Sequence, residues 1–300
     1  MGRSPIASGT KEATLDDVVA AVSDGGTLGL GGWVFHNTPM ALVRALVRAG
    51  KRDLTLVAAP GSIGPDLLIA GGCVRTVFCL FIGFEHLGGA PHFRRAAEAG
   101  KLRVLDLDGP GLAAGLRAAA GGLPWLPIRD LGTDLPRVNP EMYRPLAADP
   151  APGLGGDAHR LLAVPALSPD VVLLHAQQAD YGGNCQFFGG TFLDTLLAQA
   201  GKKVFVSVDK LVDYDTLRKA PEKTKVPEFL VDGVVHAPYG AHPTGSHGVY
   251  EPDESHLGYY LEAAATPEAF AHYRRMFVDS PSHEAYLGAV DRRALRDLHR

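Results

Sequence analysis

Short apolar runs alternate with segments of helical periodicity along most of this 300-residue chain. The apolar runs are continuous rather than alternating, which is typical of strands that are covered on both faces. The pattern predicts strands over residues 27–32, 54–58, 74–81, 102–107, 161–164, 171–175, 204–208 and 229–235. It predicts helices over residues 14–24, 40–49, 65–70, 93–99, 112–120 and 192–200.

Strands that alternate with helices form βαβ units and a parallel sheet. We therefore predict an α/β fold with an open, mostly parallel sheet and helices on both faces. Residues 139–158 lack periodicity and are rich in Pro and Gly, which predicts a surface connection. Residues 253–300 have a mostly helical pattern, and we expect this C-terminal segment to pack on the exterior of a single domain over residues 1–300.

Composition limits the kinds of partner that this protein can bind and the cell compartment in which we expect it. The net charge of −4 argues against non-specific nucleic-acid binding, which needs a basic face. No run of Lys and Arg forms a patch for lipid headgroups, and the longest apolar stretches have the length of strands, so no membrane association is expected. Three cysteines without C-x-x-C spacing, and no signal peptide at the start, predict a cytoplasmic protein with buried, reduced thiols.

A glycine-rich strand end is the first candidate for chemistry. Residues 29–33 read Gly-Leu-Gly-Gly-Trp and end a predicted strand at the edge where open α/β folds bind ligands. Without Cβ atoms, Gly31 and Gly32 would let a ligand approach, and their N–H groups could stabilise an oxyanion. The segment is not a dinucleotide fingerprint, because Val34 replaces the third glycine, and no P-loop Lys follows. A plain tight turn is the alternative.

Polar residues form three further candidates. The segment 175–180 (His-Ala-Gln-Gln-Ala-Asp) leaves a predicted strand, where it could either line a site or satisfy its own turn. The segment 236–247 holds three histidines in a Pro- and Gly-rich loop, but its spacing matches no standard zinc pattern, so we expect a substrate-lining loop and no metal. Glu85 follows a strongly apolar strand and is either a pocket carboxylate or a solvated loop acid.

Nucleophile motifs are the remaining possibility. Residues 60–64 and 244–248 resemble a nucleophile elbow, but both lack its first glycine. The sequence therefore predicts no nucleophile of the hydrolase type in this chain.

Seven sequence blocks, taken in order, resemble the α subunits of family I CoA-transferases, including those of the glutaconate CoA-transferases. The His-Ala-Gln-Gln and Ala-Pro-Tyr-Gly-Ala-His-Pro segments are the most specific of them. The resemblance extends from about residue 14 to residue 290. The blocks are residues 30–33 with 38–39, 122–127, 163–165, 171–179, 237–243, 248–251 and 283–287.

The resemblance implies a CoA-transferase fold and an α2β2 heterotetramer whose active sites lie between α and β subunits. In this family a β-subunit glutamate attacks the acyl-CoA, and CoA passes through a glutamyl-CoA thioester to a small carboxylic acid. That glutamate stands in a Ser-x-Glu-Asn-Gly context. Because this chain contains no Glu-Asn-Gly, we expect it to be inactive without a β subunit. The substrate would be an acyl-CoA, and no tightly bound cofactor is expected.

The resemblance also implies roles for individual residues. Gly31 and Gly32 would place backbone groups near the reacting thioester, and the acyl pocket would be lined or supported by Glu85, Gln177, Gln178 and His242. Some relatives are ring-opening hydrolases of CoA thioesters and carry a carboxylate before the Gly-Leu-Pro segment. Here the matching position is Gly109, although Asp106 or Asp108 could substitute. Hydrolysis or decarboxylation of a CoA thioester is therefore the alternative activity, and a non-catalytic binding protein is a third.

Overall fold

The structure is a computed structural model, and it describes residues 9–146 and 160–299. The described strands are β1 (Thr27–Leu30), β2 (Leu54–Ala58), β3 (Val74–Cys79), β4 (Arg103–Asp106), β5 (Trp125–Arg129), β6 (Arg144–Pro145), β7 (Leu161–Pro165), β8 (Val171–Asp180), β9 (Cys185–Gln186), β10 (Lys203–Val212), β11 (Thr224–Val226) and β12 (Gly233–His236). The described α-helices are α1 (Leu15–Ala21), α2 (Met40–Arg48), α3 (Ile63–Ala70), α4 (Pro91–Glu98), α5 (Gly109–Ala120), α6 (Leu135–Val138), α7 (Asp194–Ala200), α8 (Tyr214–Leu217), α9 (Glu254–Ala263), α10 (Pro267–Tyr273), α11 (His283–Val290) and α12 (Arg292–Asp297).

The main sheet has seven parallel strands in the order β12-β10-β8-β1-β2-β3-β4. The first four strands in sequence run outward from β1, and β8, β10 and β12 run outward on its other side. The order therefore reverses between β1 and β8. At such a reversal the loops at the carboxyl ends diverge and leave a crevice, which is where open α/β sheets bind ligands. Two short antiparallel strands, β9 and β11, extend the sheet beside the end of β8.

Helices cover both faces of this sheet, which confirms the predicted fold class. Helices α1, α2 and α3 and part of the C-terminal segment pack in one apolar core with the sheet. Helices α5 and α7 pack in a second core on the opposite face. The core side chains of β8 alternate between the two, with Leu173 in the first core and Val172 and Leu174 in the second. This arrangement explains the continuous apolar runs of the sequence.

Residues 161–164 form a strand as predicted, but outside the parallel sheet. They lie in β7, which pairs antiparallel with β5 and β6 in a separate three-stranded sheet. Strand β5 was not predicted, because Pro124 and Pro127 lie in or beside it and Pro is unusual within a strand. The described part of the predicted connection, residues 139–146, includes the buried side chains of Met142 and Tyr143, and residues 147–159 lie outside the described residues.

Two further predictions need correction. The strand predicted over residues 229–235 begins later, because Glu228–Leu230 forms a 3-10 turn after Pro227 and the strand covers Gly233–His236. The C-terminal segment is helical as predicted but does not simply cover the exterior. Its Tyr260 and Tyr286 are 0% and 2% exposed and belong to the first core.

No helix within the described residues is long and apolar enough to cross a membrane. The prediction of a single domain over residues 1–300 stays a prediction.

Leu173 tests the importance of the central strand, because it is fully buried and pairs with Leu30 of β1 and Phe205 of β10. Replacing Leu173 with Ala should lower the free energy of unfolding by about 2–5 kcal/mol, through lost burial and the cavity left behind. Urea denaturation followed by circular dichroism measures this loss. Leu131→Ala is the control, since Leu131 is 55% exposed and its loss should change stability by no more than about 0.5 kcal/mol. Equal losses in both variants would contradict this description of the core.

Candidate active site

A strained turn follows β1 at the point where the strand order reverses. Trp33 and His36 exchange two backbone hydrogen bonds of 2.8 and 2.7 Å. Gly32, Val34 and Asn37 have positive φ angles of 97°, 37° and 56°. A β-branched residue such as Val34 rarely adopts this conformation, and strain of this kind is common at functional sites.

The turn is fixed by the loops at the ends of two other strands. The Val34 N–H donates to the carbonyl of Pro60 after β2, at 2.8 Å. The Asn37 N–H donates to the carbonyl of Gly245, in the loop that follows β12, at 2.7 Å. Three loops at the carboxyl edge therefore hold one another in place around the crevice.

The backbone N–H groups of Gly31 and Gly32 are already engaged. The Gly31 N–H donates to the Leu173 carbonyl at 3.0 Å, and the Gly32 N–H donates to Asp194 Oδ1 at 2.7 Å. The oxyanion role expected for these groups stays a prediction, since either hydrogen bond would have to be exchanged for one with substrate.

The missing Cβ atoms of these glycines are explained by packing within the chain. A Cβ on Gly31 would collide with the Asp194 carboxylate of α7, and a Cβ on Gly29 would lie 3.2 Å from Leu197 of the same helix. The two glycines thus lie on the face of β1 that α7 covers, and they let the helix approach. A Cβ on Gly32 would lie 2.8 Å from the backbone of Thr38.

Gln177 connects the crevice internally. Its Nε2 donates to Asn37 Oδ1 at 2.8 Å and to Ser246 Oγ at 3.0 Å, and its Oε1 accepts the Phe188 N–H at 2.9 Å. The side chain is only 1% exposed, so it joins β8 to the turn after β1 and to the loop around Ser246. Gln177 therefore supports the cavity wall from behind.

The structure does not bring Gln178 to the crevice. Successive residues of a strand face opposite sides of the sheet, so Gln178 points away from Gln177. Its Nε2 donates to Gln186 Oε1 of β9 at 2.8 Å.

His242 is fully buried beneath the C-terminal helices and does not line the crevice. Its Nδ1 lies 2.6 Å from the Tyr286 hydroxyl and its Nε2 lies 3.1 Å from Asp253 Oδ2. Burial lowers the pKa of His242, and Asp253 opposes that shift. Ligand atoms of His242, Asp253 and His256 lie within 4.8 Å of one another, a set that could hold a metal ion. Hydrogen bonds that involve these residues explain why the three polar side chains lie together. The expectation that this chain holds no metal stays a prediction.

Glu85 lies at the same edge of the sheet, on an exposed 3-10 turn after β3, and has a positive φ of 47°. It acts on the turn after β1 electrostatically. Burial and His247 lower the pKa of His36, whereas Glu251 and Glu85 raise it.

The acidic residues near Gly109 are not at the crevice. Asp108 caps α5 by accepting the Gly111 N–H at 2.7 Å, and it also accepts the Tyr143 hydroxyl at 2.9 Å. Asp106 ends β4, which lies three strand spacings from β1, or about 14 Å. The possible role of Asp106 or Asp108 as the carboxylate of the hydrolase relatives stays a prediction.

A cavity of about 310 Å³ opens at the crevice. Its exposed apolar walls are Trp33 and Phe192, whose rings meet edge to face with centroids 4.1 Å apart. Such a contact builds a rigid apolar wall. The cavity is lined by Trp33, His36, Asn37, Gly190, Phe192, Asp194 and His247.

Asp194 is the site residue that sequence reasoning missed. It begins α7, it is 3% exposed, and it makes no side-chain hydrogen bond among the described residues beyond the one from Gly32. Burial raises the pKa of Asp194 to about 7, and the Gly32 N–H opposes that shift. A buried carboxyl with a raised pKa beside a cavity is typical of functional sites. An acid in a first helical turn is too common to be singled out from sequence.

A larger cavity of about 780 Å³ lies two strands away, between the loop after β12 and helices α11 and α12. Its walls include Tyr239, His283, Arg292 and Arg296. It lies apart from the reversal of strand order, so we take the cavity beside Asp194 as the candidate site.

Residues 12–237 match the family model described as coenzyme A transferase. The chain belongs to this family. The resemblance noted in the sequence is therefore confirmed.

Relatives of this chain carry different activities in their names. The IpdA subunit of the cholesterol ring-cleaving hydrolase of Rhodococcus jostii is 38% identical over 93% of this chain and 95% of its own length. The A subunit of the glutaconate CoA-transferase of Acidaminococcus fermentans is 30% identical over 96% of this chain and 94% of its own. The crystal structure of that transferase superposes with a TM-score of 0.88, covering 97% of this chain and 96% of that chain. The decarboxylase AibA/AibB superposes with a TM-score of 0.78 at 35% identity, covering 89% and 98%.

Gly32 and Gly25 form a matched pair for testing the packing of the turn. Both have positive φ, but a Cβ on Gly25 would meet nothing within 4 Å, whereas one on Gly32 would strike Thr38. Each Ala substitution should cost about 1–2 kcal/mol for the backbone conformation, and Gly32→Ala should lose about 1–3 kcal/mol more through overpacking. Urea denaturation of both variants measures the difference. Equal stabilities would show that the turn can yield at Gly32.

Proposed function

We propose that this chain is the α subunit of a two-subunit enzyme that transfers CoA from an acyl-CoA to a small carboxylic acid. The cavity at the strand-order reversal supports this proposal most directly, because it lies where the fold binds ligands and yet is only partly enclosed by this chain. An α2β2 assembly and a cytoplasmic location are part of the proposal.

An exposed apolar edge supports the need for a partner. Trp33 and Phe192 beside the cavity are 42% and 51% exposed, and Leu80 and Phe81 after β3 are 36% and 40% exposed. Soluble proteins seldom expose large apolar side chains together at one edge unless a partner covers them. The related glutaconate CoA-transferase chain is by its name one subunit of a larger enzyme, which agrees with a β subunit covering this edge.

The proposed reaction divides the work between the two chains. A β-subunit glutamate carboxylate attacks the thioester carbonyl, CoA thiolate leaves, and an acyl-glutamyl anhydride forms. The thiolate then attacks the glutamyl carbonyl and releases the first acid, leaving a glutamyl-CoA thioester. The acceptor carboxylate and CoA repeat these two steps in reverse order, which frees the glutamate. This chain would enclose the acyl group within the cavity beside Trp33 and Asp194.

Hydrolysis or decarboxylation of a CoA thioester is the second candidate. The decarboxylase and the hydrolase subunit are 35% and 38% identical to this chain, against 30% for the transferase subunit. The three reactions would use the same cavity of this chain, and they differ in the bond of the acyl-CoA that is broken. The reactive groups that the two chains supply together therefore decide among them.

The assembled enzyme separates these reactions when it receives acyl-CoA without an acceptor acid. A transferase should stop after one turnover per site, and the mass of the β subunit should rise by that of CoA less water. Continuous release of CoA and free acid would indicate a hydrolase, and release of carbon dioxide a decarboxylase. The same assay should show no turnover by this chain alone.

Two outcomes of that assay would reject the proposal. Exchange of CoA by the isolated chain at the full rate would show that it needs no partner. Binding of acyl-CoA by the complex without turnover, whichever acid is offered, would indicate a binding protein.

A further inference from the structure

We infer that Asp194 contacts the acyl group and that the cavity beside it accepts an acyl chain ending in an uncharged carbonyl, in preference to one ending in a second carboxylate. This inference rests on the proposed function and adds the class of substrate. Three features of the cavity support it: its walls, the unused oxygen of Asp194, and the charges around that carboxyl group.

The described walls of the cavity hold no permanent cation, and their basic side chains are those of His36 and His247. Trp33 and Phe192 are apolar, Asn37 is neutral, and among the described residues that line the cavity there is no Lys or Arg. Lys223 lies 5.0 Å from the Phe188 ring but does not line the cavity. A second carboxylate entering this space would lose hydration without gaining a permanently charged Lys or Arg partner, which is costly.

Asp194 offers one oxygen to the substrate. Its Oδ1 is held by the Gly32 N–H, and its Oδ2 has no hydrogen bond to the described residues. Because Asp194 lines the cavity, the second oxygen is available to an acyl group. A protonated carboxyl donates a hydrogen bond to a ketone oxygen, whereas an ionised one repels a second carboxylate.

Burial, and not a neighbouring charge, is the main influence on the pKa of Asp194. Burial raises the pKa of Asp194 to about 7, and no charged group on the packed elements contributes to the shift. His36 and His247 are the other titratable residues on the cavity wall. Burial, followed by His247, lowers the pKa of His36. Below pH 7 Asp194 therefore holds its proton and donates; as pH rises through its pKa, the donor is lost and a negative charge appears.

A matched pair of thioesters tests the preference. Glutaryl-CoA and 5-oxohexanoyl-CoA have acyl groups with the same number of non-hydrogen atoms, and they differ only in that a carboxylate oxygen of the first is a methyl group in the second. With the complete two-subunit enzyme at about pH 6, kcat/KM for the ketone should exceed that for glutaryl-CoA about tenfold or more. The ketone value should fall between about pH 6 and pH 8.5 as Asp194 ionises.

Two variants test whether the Asp194 carboxyl group causes this pH dependence. Asp194→Asn keeps an acceptor for the Gly32 N–H and supplies an N–H donor that does not titrate. It should retain ketone activity at about pH 6 to within about threefold, and the fall toward about pH 8.5 should disappear. Asp66→Asn is the control, because burial raises the pKa of Asp66 to about 6 but this residue bonds the Phe93 N–H and the Tyr260 hydroxyl away from the cavity. It should keep the wild-type pH profile.

Calorimetric binding of both thioesters to the same complex separates this inference from the proposed function. If the complex binds the thioesters but turns over neither, whichever acid is offered, the proposed function fails, while the ratio of the two affinities still tests the inference. If glutaryl-CoA binds or reacts as well as the ketone, or if Asp194→Asn keeps the wild-type pH profile, the inference is overturned.

Discussion

The hydrogen bond from the Gly32 N–H to Asp194 joins the end of β1 to the start of α7, and the candidate site depends on it. Leaving a carboxyl without water is costly: a pKa raised from 3.8 to about 7 corresponds to about 4 kcal/mol against the charged form. The hydrogen bond from the Gly32 N–H opposes the shift and is already included in that value. The packing of the fold holds the carboxyl in place despite this cost, and it thereby keeps a partly protonated acid at the cavity.

Around this contact the fold gathers loops that lie far apart in sequence. The reversal of strand order between β1 and β8 brings the turn after β1 against the loops after β2 and β12. Gln177 and Asn37 tie them together with Ser246, whose hydroxyl donates to Asp209. The C-terminal helices support the loop after β12 from behind through the contact between His242 and Tyr286. The crevice therefore has a rigid floor and an open, apolar rim.

Much of this fold could be predicted from the sequence, because hydrophobic periodicity reports burial directly. The continuous apolar run in β8 indicated a strand covered on both faces, and the glycines after β1 marked the correct sheet edge. Periodicity does not report which sheet a strand joins, so it could not show that β7 lies outside the parallel sheet. It also does not show which way a side chain points at the end of a strand, so Gln177 and Gln178 received the same role.

The site itself was predictable only in part. From the sequence, Gly31 and Gly32 were candidates for ligand binding. In the structure, a Cβ atom at these positions would collide with Asp194 of α7 and with Thr38, which explains why both are glycine. The resemblance implies that His242 lines or supports the acyl pocket; the structure buries it beneath the C-terminal helices, and its role stays a prediction. Asp194 carries no local signal, since its importance comes from long-range packing that brings residue 194 against residue 32. Contacts of this kind are set by the tertiary structure and not by a sequence motif.

The central claim is that a partner completes the crevice beside Trp33. The chain contains two tryptophans, Trp33 and Trp125, which are 42% and 44% exposed and lie at different sheets. Trp125→Phe leaves Trp33 as the single fluorescent reporter, and Trp33→Phe leaves Trp125. When the β subunit is added, we expect a blue shift of Trp33 emission and a further change when acyl-CoA follows. Formation of the complex with Trp33 emission unchanged at both steps would contradict the claim.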